Sequence, residues 1–85
     1  MKTFEYKITD ALGIHARPGG ELVKVAKQFA SKITLSCNEK AVDAKRLIAV
    51  MSLGAKQNHT VNVSIEGDDE DAACETLEKF FKENL

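Results

Sequence analysis

The sequence predicts an α+β fold: a two-layer open-faced sandwich, with a four-stranded antiparallel sheet covered on one side by three helices. Three observations predict it. Four segments alternate polar and apolar residues, so each strand would bury a single face. Three others carry an apolar stripe at helical spacing, interleaved with them as β-α-β-β-α-β-α. One-faced strands need only one layer of helices to cover them. The chain has 85 residues, the length of a single domain spanning 1–85. A domain of that size buries only about 60–65% of its unfolded surface, which leaves no room for a deep cleft beside the core. Any function is therefore expected on the surface.

The elements follow in order. Thr3 to Thr9 alternates polar and apolar side chains and reads as the first strand. Asp10 to Gly13 breaks the pattern. From Ala16 the period changes: Leu22, Ala26 and Phe29, flanked by Val23 and Ala30, form the buried stripe of a helix. Lys24, Lys27 and Gln28 fall on its wet side. Ile33, Leu35 and Cys37 mark a second strand, Asn38-Glu39-Lys40 a tight turn, and Ala41-Val42 a short third strand. Leu47, Ile48, Val50 and Met51 suggest a short helix that stops near Gly54, with Leu47 or Val50 packing inward. Val61, Val63 and Ile65 give the fourth strand. Gly67 to Asp71 turns into a last helix whose stripe is Ala73, Leu77, Phe80 and Phe81, backed by Cys74. The acids that open it suit a positive helix end.

Composition narrows the function classes. Apolar residues make up 44% and charged residues 29%, as in ordinary globular proteins. No apolar run approaches the roughly 20 residues that cross a bilayer, so membrane insertion is not expected. Cys37 and Cys74 are too few for a disulfide scaffold and read as buried free thiols, as suits a cytoplasmic protein. The two histidines and two cysteines lack zinc-like spacing, so neither a metal nor another cofactor is expected. His59 reads as a solvent-exposed loop residue. With a pI of about 6.1 and aromatics on core faces, nucleic-acid binding has little support. The net charge of −1 is unevenly spread: residues 1–60 hold 10 Lys/Arg against 5 Asp/Glu, and residues 61–85 hold 2 against 8. A basic face in the first half could steer acidic partners.

The informative stretch is Leu12-Gly13-Ile14-His15-Ala16-Arg17-Pro18-Gly19-Gly20. His15 falls between a turn and a helix start. Pro18 fits a first helical turn, where an N–H would lack a helical partner anyway. The amides of Ala16 and Arg17 would be free for the same reason, and a helix N-terminus attracts an anion by roughly 0.3–1 kcal/mol. Arg17 could add a forked, permanently charged contact. A neutral imidazole has a lone pair that can attack phosphorus. Nucleophile, cradle and counter-charge would thus lie within three residues. Gly19 and Gly20 weaken a helix by about 1 kcal/mol each relative to Ala. They either permit close approach of another backbone or are a tolerated loss. A plain anion-binding domain without covalent chemistry is the remaining alternative.

The stretch Gly13-Ile14-His15-Ala16-Arg17-Pro18 resembles the active-site signature of the HPr family, the histidine-containing phosphocarriers of the bacterial phosphoenolpyruvate:sugar phosphotransferase system. Lys45 to Gly54 resembles that family's second helix, especially in its Val-Met-Ser-Leu-Gly ending. The resemblance covers essentially the whole chain. It implies a phosphocarrier that is not itself an enzyme. Nδ1 of His15 would take a phosphoryl group from phospho-enzyme I and pass it to sugar-specific IIA domains. It also implies a monomer whose docking surface comprises Arg17, Gly20, Lys24, Lys27, Arg46, Leu47, Ile48 and Met51.

Three departures qualify the resemblance. Arg46 stands where Gram-positive members have a serine that a dedicated kinase phosphorylates, so that control is expected to be absent. Leu12 stands where sugar-branch members often have a polar residue. Leu-Gly before the motif also occurs in the nitrogen-regulatory paralogue, which leaves an alternative: a regulatory HPr-like protein that signals to other proteins through its phosphorylation state. Gly19 replaces the family's usual small Ala, which is expected to loosen the helix start.

Overall fold

The computed structural model describes residues 1–85. Its elements are β1 (Lys2–Lys7), α1 (Ala16–Lys27), β2 (Lys32–Cys37), β3 (Lys40–Asp43), α2 (Leu47–Ser52), β4 (Thr60–Glu66) and α3 (Glu70–Asn84). The order is the one the alternation patterns predict. The strands form one sheet in the order β1-β4-β2-β3, and every neighbouring pair is antiparallel. Pairing of Phe4 with Val63 and of Leu35 with Val63 and Val42 sets the apolar residues of all four strands on one face.

That face and the three helices enclose a core of 20 residues. Phe81 lies at its centre with Phe4, Tyr6 and Phe80 set edge-on around it, at centroid separations of 5.7, 5.5 and 6.3 Å. From α2, Val50 is the residue that packs fully inward, whereas Leu47 stays 40% exposed.

Three boundaries differ from expectation, the first being β1, which ends at Lys7 rather than Thr9. The apolar period runs to Phe29 and Ala30, but α1 ends at Lys27. The amides of Gln28 and Phe29 tighten back onto Val25 and Ala26, and those of Ala30 and Ser31 leave the helix to bind the Asp69 carboxylate at 2.8 and 2.9 Å. Phe29 then covers the core edge from outside the helix. In the β2–β3 turn, Asn38 and Glu39 both take left-handed backbone angles, so Lys40 already belongs to the strand.

The same carboxylate accepts a short hydrogen bond from the Ser31 hydroxyl. Asp69 therefore does not cap α3 with its side chain, as its position before the helix would suggest. It ties the α1–β2 junction to the start of α3. These donors, the Ser31 hydroxyl first, hold its carboxyl below the usual carboxylate range.

Candidate functional site

His15 is the N-cap residue of α1, with extended backbone angles and no side-chain capping bond. Its imidazole is thus not consumed in closing the helix, and its side chain is 32% exposed. The first helical bond runs from the Gly19 amide to the His15 carbonyl at 2.9 Å. The amides of Ala16 and Arg17 precede it and have no carbonyl acceptor. Pro18, which has no N–H, sits in this first turn and is buried. Two amides without an intrahelical acceptor therefore follow His15 directly in the chain.

The loop that delivers His15 is clamped from both sides. Within it, the Gly13 amide donates to the Asp10 carbonyl at 3.0 Å, and the Leu12 amide to Asp10 Oδ1 at 2.8 Å. Behind it lies the α2–β4 loop, where the Ala55 carbonyl accepts from the Ile14 amide at 3.1 Å. Gly13 has φ 68°, and a Cβ there would drive into the Ala55 carbonyl and come within 2.7 Å of Lys56 Cα. Only glycine permits both the turn and the contact.

The remaining surface residues divide into those free to meet a partner and those already engaged. Arg17, Lys24, Lys27 and Arg46 are exposed and take no part in any ion pair. Lys45 is engaged, since its Nζ donates to the Phe29 carbonyl at 2.8 Å and closes the end of α1. Leu47, Ile48 and Met51 are 40, 79 and 41% exposed, and Leu12 71%. Lys27, Arg46, Leu47 and Ile48 share one shallow groove. A Cβ on Gly19 would touch Ile14, Leu47 and Met51 at 3.7–3.9 Å, and one on Gly20 would meet nothing. Neither glycine thus serves a close backbone approach. Both are tolerated losses of helix propensity, and Gly20 presents bare backbone to the surface.

Two residues near the site escape sequence reasoning. Asp10 Oδ2 lies 3.9 Å from His15 Nε2. No helical or strand period links positions five apart across a turn, so only the folded loop reveals the pair. His59 is half-buried rather than exposed. Its Nδ1 accepts the Lys56 amide at 3.1 Å and lies 3.3 Å from Asn38 Nδ2, which fastens the loop behind Gly13 to the β2–β3 turn. A lone histidine in a polar loop gave no signal of this. Cys37 is buried, as expected, whereas Cys74 is only partly so and donates to Glu78 Oε1 at 3.3 Å. Burial pushes both thiols up, so neither is a ready nucleophile.

Comparison with known proteins decides the family. The family model described as "PTS HPr component phosphorylation site" matches residues 2–83. The chain belongs to the HPr family of phosphotransferase-system phosphocarriers. The phosphocarrier protein HPr of Lysinibacillus sphaericus is 46% identical over 77 residues, which is 91% of this chain and 88% of that protein. Among solved structures, HPr-C-His from Thermoanaerobacter tengcongensis is 38% identical, with a TM-score of 0.92 over 96% of this chain and 92% of that one. An HPr dimer from the same organism, 37% identical, gives a TM-score of 0.77 over 98% and 95%. The HPr-family fold is thus shown from both sequence and shape. No helix in this family member is long and apolar enough to cross a membrane.

Proposed function

We propose that the protein accepts a phosphoryl group on His15 from phospho-enzyme I and passes it to sugar-specific IIA domains. The observation that carries this reading is a partly exposed imidazole, uncommitted to capping, next in the chain to two free helix-start amides, in a chain of the HPr family. The lone pair of a neutral ring attacks phosphorus, and the donor bond breaks toward the donor. The amides of Ala16 and Arg17 and the free Arg17 guanidinium then hold the transferred group. The protein is not an enzyme by itself, since its partners complete the geometry of each transfer.

Both partners dock on one face in this reading. Leu47, Ile48 and Met51 supply apolar contact, Gly20 gives close access, and Arg17, Lys24, Lys27 and Arg46 form a basic rim. Arg46 leaves no serine at the start of α2 for a kinase to modify. The site lies within one chain, so the working unit is a monomer, although an HPr of Thermoanaerobacter tengcongensis forms a dimer. The family resemblance makes the protein a cytoplasmic one.

The test is incubation with enzyme I and labelled phosphoenolpyruvate. The label is expected on His15 and absent from His15→Ala. No label on the folded protein, or label surviving that substitution, would overturn the proposal. Exposed Leu12 beside Gly13 favours a second reading, a regulatory paralogue that signals through its phosphorylation state. Restoration of sugar uptake in cells lacking their own carrier would exclude a purely regulatory role.

A further inference from the structure

Asp10 is built into the site loop in a way that uses half of its carboxylate and leaves the other half facing His15. Oδ1 accepts the Leu12 amide at 2.8 Å, the Asp10 carbonyl accepts the Gly13 amide at 3.0 Å, and the Asp10 amide donates to the Leu85 carbonyl at 2.9 Å. These bonds fix the residue without engaging Oδ2. That oxygen lies 3.9 Å from His15 Nε2. The two side chains are exposed to similar degrees, 29% and 32%, so both sit at the rim of the site. Oδ2 is the one carboxylate oxygen within 4.0 Å of a His15 ring nitrogen, close enough to act on the ring through its charge, and no side chain forms a hydrogen bond with that ring.

A carboxylate beside one ring nitrogen decides which nitrogen keeps the proton. Here it favours a proton on Nε2 and leaves the lone pair on Nδ1. We propose that Asp10 is a positioning residue for phosphoryl transfer: it holds His15 as the Nε2–H tautomer and balances the charge that the ring acquires when Nδ1 is phosphorylated. This rests on the phosphocarrier reading for the transfer step alone, because the tautomer exists without any partner.

The step balances without proton transfer. The Nδ1 lone pair forms the N–P bond, and the bond from phosphorus to the donor atom breaks with its electron pair leaving on the donor. Nε2 keeps its hydrogen throughout. The ring therefore becomes an N-phosphorylated imidazolium, whose positive charge is shared with the nitrogen facing Asp10 Oδ2. On transfer to an acceptor the N–P bond breaks and its pair returns to Nδ1. The Ala16 and Arg17 amides and the Arg17 side chain meet the phosphoryl oxygens. Asp10 meets the ring from the opposite nitrogen, so the two charges are held apart.

The test compares the full chain with Asp10→Asn, which keeps a side-chain oxygen for the Leu12 amide but removes the charge, and with Asp10→Ala, which removes both. Nitrogen NMR of ring-labelled His15 at neutral to mildly alkaline pH is expected to show the Nε2–H form alone in the unaltered protein and a mixture with Nδ1–H in both variants. In the transfer assay with enzyme I, Asp10→Asn is expected to lower kcat about tenfold with KM for the carrier little changed. A merely structural role predicts instead that Asp10→Asn behaves as the unaltered protein and only Asp10→Ala falls. An Nδ1–H form dominating in the unaltered protein would overturn the proposal without recourse to any variant. So would an unchanged tautomer ratio in a folded Asp10→Asn. If His15 takes no label at all while the tautomer depends on Asp10, the phosphocarrier reading fails and the positioning contact stands.

Discussion

At the scale of residues, the site separates chemistry from packing unusually cleanly. Arg17 is exposed and holds nothing in the free protein. Arg17→Ala is accordingly expected to slow phosphoryl transfer at least about tenfold, the loss of one charge-assisted contact of roughly 1.5–3 kcal/mol. The melting temperature should stay within a degree or two. Transfer kinetics with enzyme I, read beside a thermal melt, check both halves. An unchanged rate removes Arg17 from the site. The placement of His15, Ala16 and Arg17 at a helix start was legible in the sequence because it depends on neighbours in the chain. Asp10 was not, because a turn at Gly13 brings it back to the ring. His59 was misread as exposed for a related reason: its contacts come from Asn38 and Lys56, and one of them lies 21 positions away.

At the scale of elements, two glycines on either side of His15 should respond in opposite directions to one added methyl. Gly13→Ala forces a left-handed backbone on alanine and a clash with the Ala55 carbonyl. It should destabilise the fold by about 2 kcal/mol or more. Gly20→Ala meets open space in the second turn of α1 and should stabilise by about 1 kcal/mol, a rise of several degrees for a chain of this length. Paired thermal melts check the contrast. A loss of stability in Gly20→Ala would show that its bare backbone is needed inside the fold as well as on the surface. The strands were legible from alternation alone, since each buries one face. The end of α1 was not, because apolar spacing continues through Phe29 and Ala30 while the Asp69 carboxylate takes the amides that would have prolonged the helix. A bond made to a residue 39 positions on leaves no trace in a local period.

At the scale of the whole molecule, stability should depend on acid through that same carboxylate. The Asp69 carboxyl is depressed in the folded state, chiefly by the Ser31 hydroxyl and then by the Ala30 amide. A depressed carboxyl contributes stability that is fully present above its unfolded value, near 3.8, and is lost as pH falls through the lower folded value. Asp69→Ala should therefore lower the melting temperature at pH 7, and the gap to the unaltered protein should narrow in strongly acid solution. Melts across that range check it, and a gap that stays constant with pH would show that the ionised form matters little. The uneven charge along the chain was also legible. The fold gives it a meaning, since the cations around α1 and α2 remain unpaired while Asp71 and Glu70 meet Lys2 and the Met1 amino group on α3.

The helices cover one side of the sheet, and His15 stands at the start of one of them with the apolar patch of α2 alongside. If both partners dock there, as proposed, a carrier with one such berth would not host donor and acceptor together. On that reading whichever protein occupied the berth would shut the other out, and throughput would be governed by how soon each visitor departs. Grip beyond what alignment needs would turn the shuttle into an inhibitor of its own relay. A small, shallow, partly apolar patch ringed by exposed, unpaired cations suits that demand, because it favours rapid arrival and brief stay over firm possession.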